Sequence, residues 1–383
     1  MAFERIFTAP EQSFFLLGPR GTGKSTWLRK TFINAHVIDL LSEEIYQRLL
    51  AHPGQFANEL RAVPSGRWVI VDEIQRLPGL LNEVHRHIEE KQLRFVLCGS
   101  SARKLKRAGV NLLAGRALHR AMHPFVPEEL GEQYDLEEVM RYGALPIVWN
   151  SSARQETLAA YVQFYLKEEI QAEALVRNLS GFARFMPIAA LFHGQTINVT
   201  NIAREAGVAR TTVMGYLDIL EETLLCFRVP AYEAKLRVRE RKLPKWYWCD
   251  PGIVRATKQT TGNPAPEEKG ALFEGIIAQL LRAYKDYRGI YDDMYYWASG
   301  DQTRTEVDFI LVRGQDLIAL EVKSGNTFME AWCKGLRVVT KLKGLNRRII
   351  VYPRGPAMKT EDGIDVLPFH KFADLFAEND LWY

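Results

Sequence analysis

Four short apolar runs punctuate the first third of the chain: FFLLG (14–18), HVIDL (36–40), RWVIVDE (67–73) and RFVLCGS (94–100). Longer amphipathic stretches separate them. Short β-branched or aromatic runs alternating with helical lengths predict buried parallel strands with crossover helices. This block is expected to end near Phe125. From about 126 to 190 the pattern turns helical: EELGEQYDLEEVMRY is amphipathic, GALP interrupts it, and ETLAAYVQFYLKEEIQAEALVRNL resumes. Residues 196–230 predict short helices with a turn at Ala206–Gly207. A basic stretch, KLRVRERKLPK (235–245), precedes the aromatic strand WYW, and TTGNPAPEEKG (260–270) reads as a loop. The last block predicts helix, three strands, helix and strand, from ALFEGIIAQLLRAY, MYYWAS, TEVDFILV, LIALEVKS, AWCKGLRVVTKLK and RRIIVYP. The expected division is 1–125, 126–190, 191–260 and 261–383, with no internal repeat.

Composition narrows the classes. A chain of 383 residues exceeds one ordinary core, and 47% hydrophobic with 25% charged residues is globular, not disordered. Fifty basic against 46 acidic residues leaves +4, so any nucleic-acid surface must be a local patch. The four cysteines, Cys98, Cys226, Cys249 and Cys333, form no C-x-x-C pair, so neither a zinc ribbon nor a disulfide framework is indicated. No apolar run reaches membrane-spanning length, and MAFERIFTAPEQ holds no signal-peptide core. The expectation is a cytoplasmic protein with no membrane partner.

GPRGTGKS, from Gly18 to Ser25, fits G-x-x-x-x-G-K-S between a predicted strand and a predicted helix. Gly18, Pro19, Arg20, Gly21, Thr22 and Gly23 form a loop whose N–H groups curl around phosphate oxygens, and Thr26 follows in the helix. The helix N-terminus adds favourable partial charge. Lys24 is expected to reach the β- and γ-phosphates of ATP, and Ser25 to ligate Mg²⁺. RWVIVDE ends in Asp72 and Glu73: the first suits Mg²⁺ held through water, the second the polarisation of attacking water. Ser100 ends the next strand, where a hydroxyl can touch the γ-phosphate or the water. Arg116, in LLAGRALHR, is placed to act as an arginine finger toward a neighbouring subunit. Over residues 5–130 the chain resembles the AAA+ ATPases of the P-loop superfamily. That resemblance implies a homo-oligomeric ring, such as a hexamer, with active sites between subunits.

INVTNIAREAGVARTTVMGYLDILEETLLCFRVP (197–230) resembles a winged helix-turn-helix. Arg210, Thr211 and Thr212 would face a DNA groove or phosphates. Lys235, Arg237, Arg239, Arg241, Lys242 and Lys245 would form a basic wing on phosphates.

Glu274 lies on a predicted helix, Asp308 on a strand, and Glu321 and Lys323 on the next strand. Residues i and i+2 of a strand share a face, so Glu321 and Lys323 point the same way and Asp308 can join them. Carboxylates so grouped bind Mg²⁺ or Mn²⁺, while the lysine orients a water and stabilises a phosphorane-like transition state. Gln279, five residues after Glu274, is a candidate helper. This order of elements resembles the PD-(D/E)-x-K nuclease fold, with Val307 where the name has proline.

GALP, KWYWCDPGI and the ALFEG…EVDFI…EVK series are similar to the bacterial and archaeal family that joins an AAA ATPase domain to a DUF4143 domain. The resulting expectation is an α/β chain. It comprises a P-loop AAA+ core, a helical and winged-helix middle region, and a C-terminal restriction-endonuclease-like domain. Three functions fit. One is an ATP-driven DNA-processing enzyme with a Mg²⁺-dependent nuclease site, acting on branched or recombining DNA such as Holliday junctions. Another is a regulatory DNA-binding ATPase switch that does not cut. The third is a protein-binding adaptor ATPase in a defence or toxin-linked system. Asp250, in WCDPG, is expected to cap a helix or hold a turn.

Overall fold

The protein is described from a computed structural model, which covers residues 3–101, 113, 115–165, 179–233, 242–300 and 305–383. The four apolar runs become β1 (Phe14–Leu17), β2 (His36–Asp39), β3 (Trp68–Asp72) and β4 (Arg94–Gly99), and β5 (Leu118–Ala121) joins them. All neighbours pair in parallel, in the order β2-β3-β4-β1-β5. β1 lies between β4 and β5, and both of its faces are covered, Phe14 and Leu16 by one apolar cluster and Phe15 and Leu17 by another, so it reads FFLL without alternation.

The middle region holds a helix over Leu179–Leu191, then Val199–Ala206 and Arg210–Glu222 joined at Gly207. Gly207 sits at φ 63°, the left-handed conformation that ends a helix. β6 (Gln195–Thr196), β7 (Cys226–Val229) and β8 (Lys245–Trp248) form an antiparallel sheet in the order β6-β8-β7. Two helices followed by a hairpin is the winged arrangement read from the sequence. Lys235, Arg237 and Arg239 of the expected wing lie outside the described residues, as does Arg241. Lys245 corrects that reading: it opens β8, only 5% exposed, and no DNA phosphate can reach it.

GALP and CDPG meet in space. Asp250 caps the helix Pro251–Thr257, accepting from the N–H groups of Gly252 at 2.8 Å and Ile253 at 3.2 Å. Its other oxygen accepts from Ala144 N–H at 2.7 Å. A Cβ on Gly143 would lie 1.8 Å from Asp250 Oδ1, and one on Gly252 2.1 Å from the Tyr142 carbonyl. Both positions therefore admit only glycine.

The C-terminal block opens with the long helix Pro266–Arg288. Its sheet contains β9 (Asp293–Ala298), β10 (Glu306–Arg313), β11 (Asp316–Val322), β12 (Leu345–Tyr352), β13 (Met358–Lys359) and β14 (Asp365–Pro368). The order is β13-β14-β12-β11-β10-β9, antiparallel across β9-β10-β11 and parallel across β11-β12-β14. The helix expected over AWCKGLRVVTKLK is one α-helical turn, Lys334–Val338, between two 3₁₀ turns. Gly335 and the β-branched run Val338–Thr340 disfavour a longer helix. β13, β14 and the helix Phe369–Ala377 complete the sheet beyond the predicted elements.

One apolar core runs from Phe125 through the middle region to Leu381. Two further clusters line the faces of the N-terminal sheet, and Tyr287 of the long helix packs against one of them. Among the described residues no helix is long and apolar enough to cross a membrane.

Candidate functional site

The phosphate loop turns from β1 into the helix Lys24–Thr31. Gly21 and Gly23 sit at φ 78° and 84°, which a side chain would oppose. Lys24 is only 6% exposed, and its ammonium donates to the carbonyls of Gly18 at 2.7 Å and Pro19 at 3.0 Å. Thr22 Oγ1 donates to the Pro19 carbonyl. Ser25 Oγ donates to Asp72 Oδ2 at 2.7 Å, so hydroxyl and carboxylate converge as the sequence anticipates. Lys24, Ser25 and Asp72 thus fit a nucleotide with Mg²⁺: a cation freed by exchanging its carbonyl partners, and two oxygen donors for a hard ion.

Glu73 follows β3 in the left-handed region, at φ 57°. Strain of that kind costs a non-glycine residue on the order of 1 kcal/mol and here swings the carboxylate off the strand. Gln75, missed in the sequence, bridges the site. Its amide donates to Glu73 Oε2 and, at 3.2 Å, to Ser100 Oγ. A Cβ on Gly99 would lie 2.2 Å from Gln75 Oε1, so the glycine before Ser100 makes room for the amide. The sequence carried little signal for it beyond a polar residue two places after Glu73.

A cavity of about 750 Å³ adjoins the loop, lined by Phe3, Phe7, Thr26, Trp27, Pro146 and Asn150 among others. The middle region closes over the loop: Ile147 N–H donates to the Gly21 carbonyl at 3.1 Å, and Tyr161 OH to the Arg20 carbonyl at 3.2 Å. Arg116 lies ahead of β5 and pairs with Glu89. Arg210 and Thr211 are exposed, and Thr212 half-buried, at the start of the second helix of the helix-turn-helix.

The C-terminal carboxylates also converge. Asp308 on β10 precedes the Phe309–Leu320 register pair, beside Glu321 on β11, and accepts from the Val322 N–H at 2.8 Å. Glu321 pairs with Lys323 two residues on. Glu274, from the long helix, lies with Asp308 in a group completed by Glu306; carboxylate oxygens of the three are within 4.8 Å of one another. Glu306, two places before Asp308 on the same strand face, was legible by period and overlooked. Gln279 is elsewhere engaged, donating to the Pro124 carbonyl.

The unexpected member is Lys245. Its ammonium lies 2.9 Å from Glu274 Oε1 and 3.4 Å from Asp308 Oδ1, and also pairs with Glu306. Tyr247, on the same face of β8, donates to Glu274 Oε1 at 2.6 Å. Burial opposes charge on Lys245, but Glu274, Tyr247, Asp308 and Glu306 outweigh it and hold the ammonium well above the ordinary lysine range. Burial pushes Glu274 up to about 7 despite Lys245, and pushes Glu321 well up, with Asp308 adding repulsion. As arranged, these carboxylates do not fit a divalent cation, because an ammonium already stands among them.

Three family profiles match the chain. Residues 10–131 match an AAA domain, residues 133–263 a domain of unknown function (DUF8612), and residues 269–372 another (DUF4143). An uncharacterized protein of Mycobacterium tuberculosis is 24% identical over 362 residues, covering 92% of this chain and 79% of its own. An uncharacterized protein of Haemophilus influenzae is 21% identical, covering 80% of each. Among solved structures, Aeropyrum pernix ORC1 in complex with DNA is 15% identical, covers 66% of this chain and 87% of its own, and has a TM-score of 0.25. The Bacillus subtilis DNA clamp loader delta protein is 15% identical, covers 71% and 96%, and also scores 0.25. With a phosphate loop ahead of an acidic strand end in one block and a mixed sheet bearing converging carboxylates in the other, this chain joins an AAA domain over residues 10–131 to a DUF4143 domain over residues 269–372.

Proposed function

We propose that this chain is an ATP-hydrolysing switch that binds DNA and does not cut it in the arrangement described. The observation that carries the reading is the continuous polar string Ser25–Asp72–Glu73–Gln75–Ser100 beside the phosphate loop. Lys24 binds the phosphates, Ser25 and Asp72 hold Mg²⁺, and Glu73, steadied by Gln75, takes the proton of the attacking water. Mg²⁺ would supply charge neutralisation on the phosphates. The purine is proposed for the cavity beside Phe7 and Trp27. Exposed Arg210 and Thr211 support DNA contact through the helix-turn-helix, with Lys235, Arg237 and Arg239 as the wing.

A second reading is favoured by one observation, the convergence of Glu274 and Asp308, with Glu321 on the strand beside Asp308. In it the C-terminal domain cleaves branched DNA, such as a Holliday junction, with Mg²⁺ or Mn²⁺ on Glu274, Asp308 and Glu321 and with Lys323 as charge stabiliser. The ATPase would work as a ring, hexameric or otherwise, with Arg116 leaving Glu89 for a neighbour's γ-phosphate. ATPase rates with and without four-way junction DNA, run beside a cleavage assay, separate the two. DNA-stimulated hydrolysis without cleavage is the expected result. Cleavage lost in Asp308→Ala while hydrolysis persists would replace it with the second reading. Hydrolysis that survives Lys24→Ala would refute both.

A further inference from the structure

The cluster in the C-terminal domain mixes side chains from three elements. Glu274 comes from the long helix, Glu306 and Asp308 from β10, and Lys245 from β8 of the middle region. Lys245 is the first residue of the alternating strand K-W-Y-W, whose odd members, Lys245 and Tyr247, both reach Glu274. Trp246 and Trp248 are fully buried, which pins the register of β8. A one-residue slip would withdraw the ammonium and insert an indole.

A divalent cation bonded to these oxygens at about 2.0–2.6 Å would occupy the space Lys245 Nζ now fills. Two cations cannot share it, because their repulsion in a buried site far exceeds what it would be in water. A second observation shows that the hydrogen bonding of the cluster is incomplete. Glu321 Oε2, on a side chain only 8% exposed, has no hydrogen-bond partner among the described residues, and the nearby Asp308 is another carboxylate that adds repulsion. The cluster therefore carries more acceptor capacity than its two lysines satisfy.

We propose that Lys245 is the resident cation of this cluster, and that its ammonium excludes divalent metal until β8 or the Lys245 side chain withdraws. This deepens the non-cutting reading above and rests on it, but not on ATP hydrolysis. Because the ammonium belongs to the middle region and the carboxylates to the C-terminal domain, metal binding becomes a report of how those two segments are seated.

The test uses the full-length, nucleotide-free chain and Mn²⁺ alone, with free Mn²⁺ counted by electron paramagnetic resonance. With Lys245 in place, Mn²⁺ uptake is expected to be the same with and without Asp308→Asn. Lys245→Met is expected to take up one further equivalent, bound roughly tenfold tighter or more than by the parent, and lost again on adding Asp308→Asn. Lys245→Gln serves in its place if removal of the ammonium prevents folding. Uptake by the parent that depends on Asp308 and matches the variant's affinity would overturn the proposal. So would a folded Lys245→Met chain that gains no Mn²⁺. ATP hydrolysis is a separate readout, so either proposal can fail while the other stands.

Discussion

Arg5 and Tyr287 meet across most of the length of the chain, the guanidinium donating to the phenol oxygen at 2.8 Å. The same guanidinium donates to the Thr22 carbonyl of the phosphate loop at 3.1 Å and to the His123 carbonyl at 2.6 Å. It also pairs with the buried carboxylate of Glu129 at 2.9 Å. One side chain thus ties the phosphate loop to the helix that carries Glu274. Arg5→Ala leaves Glu129 without its partner and is expected to cost about 2–4 kcal/mol. Burial already pushes the Glu129 carboxyl up despite Arg5, so in the variant it takes a proton and the loss shrinks as pH falls. Urea unfolding at two pH values checks this; a loss below measurement error would show the pairing to be incidental.

Asp250 gathers N–H groups from both joined motifs, and Asp250→Ala is expected to cost about 2–4 kcal/mol through the lost cap and the orphaned buried donors. Asp250→Asn, which keeps one acceptor oxygen, should lose less. Thermal melts rank the two; equal losses would mean that charge, not hydrogen bonding, matters there.

Glu73→Gln is expected to keep nucleotide binding while hydrolysis falls by roughly 10²–10⁴, the usual contribution of a positioned base. Gln75→Ala should lower the hydrolysis rate by a smaller factor, since it steadies Glu73 and Ser100 without touching the proton. Steady-state turnover and binding of a fluorescent ATP analogue separate the effects. A Gln75→Ala chain that weakens ATP binding in parallel with turnover would contradict this role.

His193 is buried, and burial lowers its pKa to about 3. Unfolded, the imidazole takes a proton near its ordinary value, so its contribution to stability is complete above about pH 6.5 and drains away as pH falls. The slope is about 1.4 kcal/mol per pH unit for one proton. Asp250 runs the other way: burial raises it to about 6, so its term is present at low pH and is lost as pH rises through that value. The two oppose each other between about pH 4 and 6, so a difference measurement is required. Between about pH 4 and 6 the pH slope of unfolding free energy in His193→Gln should be more negative than in the parent by about one proton, because the opposing Asp250 term is left uncancelled; identical slopes would show that His193 titrates alike in both states.

How much of this was legible follows from where the chemistry lies along the chain. Gly18 to Ser25 is contiguous, and Asp72 and Glu73 end an unbroken apolar run, so strand, loop and acids are read together. Glu321 and Lys323 were legible as one strand face through strand period, whereas the pairing of β10 with β11, which brings Asp308 beside them, is a tertiary matter. Lys245 was misassigned because a run of basic residues looks uniform until packing chooses among them. Its place at the head of K-W-Y-W, with Tyr247 on the same face, was the available sign. Gln75 carried little signal, since a buried glutamine differs from an exposed one only in its neighbours.

By itself the sequence determined the parallel strands, the phosphate loop and the acidic strand ends, because backbone periodicity and a motif of eight residues are local properties of the chain. Only the tertiary structure decided which cation stands among Glu274, Glu306 and Asp308, and that Arg5 links the phosphate loop to the long helix. Those partners lie tens to hundreds of residues apart, and a buried charge selects its counter-ion by proximity in three dimensions, after the cores that position both have closed.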